Sequence, residues 1–303
     1  MSLHPCRHFL VGPTDDAHSA LLESALRGEG CEVDWLQTDR PLGSLEEILE
    51  RPRPTSAIFR RAVSAPHPDP GVEHYLETET REFVMALAEL TPEWNWYPAT
   101  PAVVYRAGIK PLQLHLAQQV GLSVPKTVIG SGASLLGASG VGSGWIAKPL
   151  RSQRVVLAGA HRWLGTCRVD EHLTGTDLAP AIYQQSLEIL FEVRVVVVND
   201  VVSGFRVRTP RADYLDLKDT LEECNYEPIA VPEAIRRGLL DLLRNLGVRF
   251  CSSDFVVGPS GQWTFLELNP NGQWYFLQEG TGVDLMRSAL AAQHAPVASP
   301  TDR

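Results

Sequence analysis

Two apolar stretches near the C-terminal end carry polar side chains, and this feature constrains the fold more than any other. SSDFVVG and WTFLELN flank a short turn at Pro259–Gly261, which predicts an antiparallel hairpin. Asp254 lies on the first strand, and Glu267 and Asn269 lie on the second. Because successive side chains of a strand point to opposite faces, Glu267 and Asn269 share a face that Asp254 can join.

These three side chains together offer two carboxylates and one amide oxygen. Hard cations such as Mg²⁺ prefer oxygen ligands and often share them with nucleotide phosphates. The alternative is a solvated hairpin edge whose polar residues face water. Three oxygen-bearing residues on otherwise apolar strands favour the metal site, so we predict that Asp254, Glu267 and Asn269 bind Mg²⁺.

The N-terminal part has the pattern of an open parallel α/β layer. HFLVG and CEVDWLQ predict strands on either side of the helical segment SALLESALRGEG. A further strand, SAIFRRAV, precedes an acidic helix from about Glu73 to Leu90. The first turn lacks the G-x-G-x-x-G pattern, which disfavours a dinucleotide site there.

The rest of the chain predicts an α+β arrangement rich in hairpins. WIAKPL and RVVLAGAHRW each predict a strand, and EVRVVVVND and VVSGFRVRT predict a hairpin that turns at Asn199-Asp200. The amphipathic helix PEAIRRGLLDLLRNLG follows, and the last helix covers about 282–293. We divide the chain into an N-terminal domain 1–105, a central subdomain 106–187, a C-terminal subdomain 188–295 with the metal site, and a tail 296–303.

Composition excludes several classes of protein. The net charge of -9 argues against a nucleic-acid partner. The sequence has no run of about 18 apolar residues and no signal-peptide pattern, so we expect a cytoplasmic protein without a membrane partner. The five cysteines include no C-x-x-C pair, which predicts reduced thiols and no zinc site.

Four basic residues stand where phosphate groups could meet them. Lys148 interrupts the apolar strand WIAKPL, an unfavourable position unless an anion lies nearby. Lys110 begins a helix, where a solvated lysine is the simpler interpretation. Arg194 and Arg206 lie on apolar strands, and each is equally consistent with a half-exposed sheet surface.

These motifs together resemble the ATP-grasp ligases over nearly the whole chain. SSDFVVGPSGQW followed by FLELNPNGQW is similar to the family's pattern of an Asp strand and a Glu-x-Asn-Pro strand. Three stretches most resemble the microviridin-type or graspetide ligases, which crosslink ribosomally made peptides. They are IFRRAVSAP, YRAGIKPLQLHLAQQVGLSVPKTV and LNPNGQWYFLQEGTGVDL. The resemblance implies an ATP-grasp fold preceded by the α/β layer.

The resemblance also implies roles for individual residues. Asp254, Glu267 and Asn269 match the Mg²⁺ ligands. Arg194 and Arg206 match catalytic arginines that face the γ-phosphate or the acyl phosphate. The positions that match the family's ATP-binding residues are Lys110 and Lys148 at the phosphates, Gln184, Gln185 and Leu187 at the adenine, and Glu192 at the ribose.

The sequence departs from the family's pattern at several positions. Ile109 stands where many relatives have Asn, and Ser252 stands where some ligases have Arg. RSQR replaces the glycine-rich flap that covers phosphate in other branches. The segment DYLDLKDTLEECNYEP does not identify the acceptor.

The activity implied by the resemblance is ADP-forming ligation through an acyl phosphate. The partner would be a precursor peptide with leader and core, or another carboxylate substrate, and the product would be a side-chain ester or amide crosslink. One alternative is a RimK-like or amino-acid ligase that adds residues to a peptide or small molecule. Another is a catalytically silent nucleotide-binding or sensing protein. The assembly state is left open, a homodimer being one option.

Overall fold

The N-terminal part is a four-stranded parallel sheet of order β2-β1-β3-β4. The computed structural model describes residues 6–136, 144–151, 153–157, 160–169, 178–209 and 223–294, so the predicted tail 296–303 lies outside it. The strands of this sheet are β1 (Arg7–Gly12), β2 (Glu32–Gln37), β3 (Ser56–Phe59) and β4 (Trp96–Tyr97). The prediction of an open parallel α/β layer is confirmed.

Three helices connect these strands, and acidic caps fix where two of them begin. They are α1 (Ala17–Gly28), α2 (Leu45–Leu49) and α3 (Pro70–Leu90). The Asp16 carboxylate accepts the backbone N–H of Ser19 at the start of α1. Asp69 caps α3 in the same way and Pro70 occupies its first position, so this helix begins earlier than the predicted Glu73.

Two short helices lead from this layer to the rest of the chain. They are α4 (Pro101–Ala107) and α5 (Lys110–Gln119). The predicted boundary after residue 105 lies within α4, and the limits of the domains stay predictions. Lys110 stands at the first position of α5, as the sequence predicts.

The central part contains a four-stranded antiparallel sheet. Its strands are β5 (Thr127–Ser131), β6 (Trp145–Pro149), β9 (Cys167–Arg168) and β10 (Pro180–Gln185), in the order β5-β10-β6-β9. The prediction of a single strand over RVVLAGAHRW is wrong. The structure forms two antiparallel strands there, β7 (Gln153–Leu157) and β8 (Ala160–Leu164), in which Gln153 pairs with Leu164 and Leu157 pairs with Ala160.

The C-terminal part is built on a five-stranded antiparallel sheet, called the large sheet below. Its strands are β11 (Phe191–Val198), β12 (Val201–Arg208), β13 (Asn225–Ile229), β14 (Phe250–Val257) and β15 (Trp263–Asn269), in the order β13-β12-β11-β14-β15. Asn199 adopts a positive φ of 53°, which lets the chain turn between β11 and β12 as predicted. The α-helices of this part are α6 (Glu233–Leu246), α7 (Tyr275–Thr281) and α8 (Leu285–His294).

The two faces of this sheet pack against different parts of the molecule. Val193, Val195 and Val197 join one buried cluster with residues of α5 and α6. Val196 and Val198, on the opposite face, join a second cluster with residues of α1, α7 and α8. Strand alternation separates the two clusters, and the sheet is therefore covered on both sides over these residues.

A disulfide joins Cys6 and Cys31, whereas the sequence predicted reduced thiols at both positions. The two residues immediately precede the parallel neighbours β1 and β2, in which Arg7 pairs with Glu32. This register brings the Cα atoms within 4.9 Å, inside the usual range for a disulfide. Spacing along the chain does not reveal the pair, because 25 residues separate the two cysteines.

Among the described helices, none has the length and apolar composition needed to cross a membrane.

Candidate functional site

The three predicted metal ligands meet on one face of the β14–β15 hairpin. Asp254 pairs with Glu267, and Ser252 pairs with Asn269. Directly opposed residues of an antiparallel pair lie on the same face. Asn269 Nδ2 also donates a hydrogen bond to Glu267 Oε1 at 3.4 Å. The hairpin thus places two carboxylates and an amide side by side.

A β-bulge in this hairpin determines which way Glu267 points. Asp254 pairs with Glu267 while the next residue, Phe255, pairs with Phe265, so Leu266 is an extra residue on β15. Phe255 and Phe265 are buried in the core on the α5 side of the sheet. In a regular strand Glu267 would share the face of Phe265 and enter that core. The bulge instead turns Glu267 to the opposite face, where Asp254 lies.

Arg194 of β11 pairs with Asp254 in the sheet and completes the cluster on that side. Its Nε and Nη2 atoms donate to the two oxygens of Asp254 at 2.8 and 3.2 Å, a bidentate contact. Burial lowers the pKa of the Arg194 guanidinium, but the Asp254 carboxylate more than offsets this, so the pKa lies above its ordinary value. Arg194 is therefore a fixed positive charge beside the predicted metal ligands.

Lys110 provides the second positive charge of the cluster. Its Nζ lies 3.0 Å from Glu267 Oε2, and both side chains are largely buried, at 17% and 16% exposure. Gln113, one turn further along α5, is buried and bonds to both backbone groups of Leu268, donating to its O at 2.6 Å and accepting from its N at 3.0 Å. This amide fixes α5 against β15, which keeps Lys110 next to Glu267.

Two of the predicted nucleotide contacts share a face of the central sheet. Lys148 of β6 pairs with Ile182 of β10, and Gln184 lies two residues further along β10. Both side chains therefore point to the same side. Gln184 is buried and donates to Thr127 Oγ1 at 3.1 Å. This face of the central sheet carries the polar groups predicted to contact ATP.

The other two predicted adenine contacts lie at the end of the same strand. Gln185 is the last residue of β10, and its exposed side chain points to the opposite face from Gln184. Its backbone N–H donates to Lys126 O at 3.0 Å. Leu187 follows in the segment that connects to β11 and is half-buried. The structure thus does not bring the side chain of Gln185 to the face of Lys148.

The two remaining predicted residues lie on opposite faces of the large sheet. Glu192 of β11 is 9% exposed and lies two residues from Arg194, so it belongs to the face of the acidic cluster. Arg206 pairs with Val193 and therefore points to the other face. Its guanidinium carbon lies 4.2 Å from the centre of the Phe191 ring, a cation–π contact. The structure does not bring Arg206 together with Arg194.

A buried network from the N-terminal part positions the loop that follows β15. Arg60 Nε donates to Asp16 Oδ2 at 3.2 Å, and the backbone O of Arg60 accepts from Asn271 Nδ2 at 2.6 Å. Burial raises the pKa of Asp16, but the charge of Arg60 and a hydrogen bond from Ser19 more than offset it, so the pKa falls to about 2. The Asp16 carboxylate is therefore ionised throughout the physiological range.

His18 of α1 holds the start of α7. Its Nε2 accepts the backbone N–H groups of Trp274 and Tyr275 at 2.9 and 3.1 Å. Burial lowers the pKa of His18 to about 4, and the nearby charge of Arg60 lowers it further in the same direction. The imidazole is therefore neutral at pH 7 and can accept both bonds.

Gly272 lets the loop after β15 fold back onto the hairpin. A Cβ at this position would lie 2.4 Å from Ser252 Cβ and 3.3 Å from Asn269 Cβ. The Gly272 N–H also donates to Asn269 O at 3.1 Å, which closes the Pro-Asn-Gly turn. Substitution by any other residue would displace either the turn or the strand that carries Asn269.

Sequence reasoning missed Gln113, His18, Arg60 and Gly272 as residues that support the site. For Gln113 the sequence contained a signal: this amide stands three residues after Lys110, on the apolar face of α5. A glutamine buried at such a position needs hydrogen-bond partners. Gly272 belongs to the motif LNPNGQW, whose Pro-Asn-Gly sequence is typical of a turn. For His18 and Arg60 the sequence offered no comparable pattern, because their contacts with the segment that follows β15 span more than 200 residues.

Comparison with known proteins supports the same fold. No family model matches the chain, and no curated protein matches it. A Chryseobacterium gregarium RiPP-associated ATP-grasp ligase, solved in complex with ADP and a leader and core peptide, is 19% identical, with a TM-score of 0.77 and coverage of 96% of this chain and 98% of that one.

Two other solved structures are similar over almost the same length. The macrocyclase MdnC from Microcystis aeruginosa MRC, bound with precursor peptide MdnA, is 20% identical with a TM-score of 0.72, covering 94% of this chain and 98% of that one. The ATP-grasp ligase PsnB, complexed with a phosphomimetic variant of its minimal precursor, Mg and ADP, is 22% identical with a TM-score of 0.71, covering 95% and 97%. The chain therefore has the fold of the ATP-grasp ligases, as the resemblance predicted.

Proposed function

We propose that this chain is an ATP- and Mg²⁺-dependent ligase that forms ester or amide crosslinks between side chains of a ribosomally made precursor peptide. The observation that carries the proposal is the cluster of Asp254, Glu267 and Asn269 with Arg194 and Lys110. It lies in a fold shared with ligases and macrocyclases solved with leader, core or precursor peptides.

The chemistry of the cluster fits Mg²⁺. Asp254 and Glu267 are 17% and 16% exposed, and each carboxylate already contacts a basic side chain. Largely buried carboxylates need opposite charge nearby, and a divalent cation provides it for both. Asp254, Glu267 and Asn269 would hold the ion, which leaves Lys110 and Arg194 to neutralise phosphate oxygens.

The neighbouring residues suit a nucleotide. Bound ATP supplies the phosphoryl group that activates a substrate carboxylate, with ADP as product. Lys148 and Gln184 share one face of the central sheet, so a cation for phosphate and an amide for the base lie on one surface. Glu192 shares the face of Arg194 and would accept hydrogen bonds from ribose hydroxyls. In this scheme the protein contributes positioning and charge stabilisation.

The precursor peptide is proposed as the substrate because the similar structures contain such peptides. The segment DYLDLKDTLEECNYEP lies largely outside the described residues and does not contribute to this assignment. We place the protein in the cytoplasm, where ATP and newly made peptides are both available. Arg206 remains a candidate for a catalytic arginine only if the β12 strand presents it to substrate from the opposite face of the sheet.

The test combines mass spectrometry with measurement of ADP. The purified protein is incubated with Mg²⁺, ATP and a short precursor peptide that contains acidic residues together with Thr, Ser or Lys. Crosslinking predicts that the peptide loses one water for each bond and that ADP forms in step with it. A gain of one residue mass would support a residue-adding ligase instead. Tight ATP binding without ADP formation on any carboxylate substrate would support the silent nucleotide-binding alternative.

A further inference from the structure

A second cluster of metal-ligand side chains lies away from the proposed active site. Cys6, His8, Cys31 and His294 each place one ligand atom within 4.8 Å of the others. They come from the start of β1, the residue before β2 and the end of α8. We propose that these four residues form a zinc site when Cys6 and Cys31 are reduced.

The ligand set and its spacing match structural zinc sites. Two cysteine sulfurs and two imidazole nitrogens are a common tetrahedral set, with Zn–S near 2.3 Å and Zn–N near 2.0–2.1 Å. Such bond lengths place the ligand atoms roughly 3.3–3.8 Å apart. After reduction the two bonded sulfurs must move apart to this spacing, while the other ligand atoms, all within 4.8 Å of one another, need only move closer. Two thiolates also neutralise the charge of Zn²⁺, which suits a cluster in which His8 and Cys31 are buried.

The surroundings of His8 are those of a metal-bound histidine. The ring is fully buried, and its Nδ1 lies 2.9 Å from Ser56 Oγ. The Ser56 hydroxyl in turn donates to Gln293 Oε1 at 3.0 Å, so Ser56 accepts the Nδ1–H of His8. Within the described part of the chain, His8 Nε2 is buried without a hydrogen-bond partner. A metal ion would satisfy this nitrogen while the serine fixes the ring.

His294 has a complementary arrangement at the exposed edge of the cluster. Its Nε2 lies 2.9 Å from a carboxylate oxygen of Glu29. When Nε2–H donates to this carboxylate, Nδ1 is left as the ligand nitrogen. Carboxylate–histidine–metal arrangements of this kind are common around bound zinc, and they orient the ring and strengthen its binding. Both histidines therefore have the outer contacts expected of zinc ligands.

The disulfide and the zinc site are two states of the same residues. The structure contains the oxidised state, in which the sulfurs of Cys6 and Cys31 are bonded to each other. A phosphine reductant with one water cleaves the S–S bond, giving two thiols and a phosphine oxide. Binding of Zn²⁺ then releases the two thiol protons and gives two thiolate ligands. In either state the cluster ties the first strand to the start of β2, and zinc would add α8 through His294.

The experiment uses the full-length protein, reduced with a phosphine without oxygen and freed of metal. Co²⁺ is added first, because a tetrahedral thiolate site gives strong visible bands and a thiolate-to-cobalt charge-transfer band. The octahedral oxygen ligands of the active site give no such charge-transfer band. We expect one equivalent of Co²⁺ to bind with this band, and one equivalent of Zn²⁺ to displace it. At about 1,000 times its Kd, Zn²⁺ should raise Tm by about 5 °C or more.

Single substitutions assign the ligands. Cys31→Ser should abolish the charge-transfer band, and Cys167→Ser, at an exposed cysteine outside the disulfide, is the matched control that should leave it unchanged. Because the Glu29 side chain is exposed and contacts the ring of a ligand from outside the metal site, Glu29→Gln tests the same site in a folded protein, with an expected 10–100-fold loss of zinc affinity. Absence of the band in the reduced wild type, a disulfide that resists the phosphine, or equal binding by wild type and Cys31→Ser would each overturn the proposal.

Discussion

The two faces of the large sheet use the same strands for different purposes. On the α5 side, Val193 and Val195 of β11 lie in the apolar core. On the opposite side, Glu192 and Arg194 of the same strand belong to the face of Asp254. Strand alternation produces this division along β11, but β15 needs a bulge to achieve it. The comparison shows that one extra residue, Leu266, separates a hydrophobic core from a charged site.

The largest expected effect comes from placing a carboxylate on the apolar face of β15. Leu268→Glu would bury an unpaired carboxylate in the core on the α5 side, the face from which the bulge keeps Glu267 away. We expect a loss of about 4 kcal/mol or more in the free energy of unfolding, measured by urea denaturation. Leu266→Ala, which keeps the register, is the matched control and should cost about 1 kcal/mol. Equal stability of the two variants would contradict the division of β15 between an apolar face and a charged face.

A fall in pH should lower the free energy of unfolding through His18, which packs on the side of the charged face, and not through residues of the apolar face. The pKa of His18 is about 4 in the folded protein and near 6.5 when unfolded. The unfolded chain therefore binds the extra proton first, and stability present above pH 6.5 is lost as pH falls toward 4. The expected loss from this residue is about 3 kcal/mol.

Variants separate this effect from other titrating groups. His8, whose pKa burial also lowers to about 4, contributes to the same pH range in the wild type. Comparison of the wild type with His18→Gln isolates the contribution of His18. Between pH 6.5 and 4, the free energy of unfolding should change less steeply with pH in the variant, by the slope that one proton contributes. Val195→Ala, on the apolar face, should keep the slope of the wild type. A His18→Gln profile parallel to the wild type would contradict this account.

The two arginines on opposite faces offer a direct comparison of function. Arg194→Met leaves Asp254 without its bidentate partner, and we expect peptide-dependent ADP formation to fall by about 100-fold or more. Arg206→Met removes only a cation–π contact with Phe191, and the expected loss is less than about 3-fold. Equal losses in both variants would mean that Arg206 also reaches the substrate.

The smallest expected effect concerns the turn that packs against the charged face. Gly272→Ala would place a methyl group 2.4 Å from Ser252 Cβ, so we expect about 2 kcal/mol of destabilisation by thermal unfolding. Gly280→Ala is the matched control because a Cβ there meets nothing within 4 Å. That change should stabilise α7 slightly. Destabilisation of similar size in both variants would argue against close packing at Gly272.

The sequence predicted much of this arrangement from periodicity and turn residues. The parallel N-terminal layer, the Asn199-Asp200 hairpin and the shared face of Glu267 and Asn269 follow from strand alternation and short turns. The convergence of Glu267 with Asp254 also requires the bulge at Leu266, which alternation does not predict. The face of Arg206 could not be predicted, because it depends on the register between β11 and β12. The pairing of Cys6 with Cys31 depends on the order of strands in the first sheet.

The contacts that hold the site residues in place could not be predicted from the sequence, because they join positions far apart in the chain. Gln113 and Leu268 are 155 residues apart, and His18 and Trp274 are 256 residues apart. Neither alternation nor helical periodicity relates such distant positions. These contacts arise only when α1, α5 and α7 pack around the large sheet, so their geometry belongs to the tertiary structure.

The central claim is that Glu267 helps to hold Mg²⁺ for a bound nucleotide, and titration with ADP tests it without a known substrate. Calorimetry with and without Mg²⁺ compares the wild type, Glu267→Gln and the control Glu233→Gln, which changes an exposed residue of α6. We predict that Mg²⁺ tightens ADP binding by about 10-fold or more in the wild type and control, and by less than about 3-fold in Glu267→Gln. The same Mg²⁺ dependence in all three proteins would contradict the account.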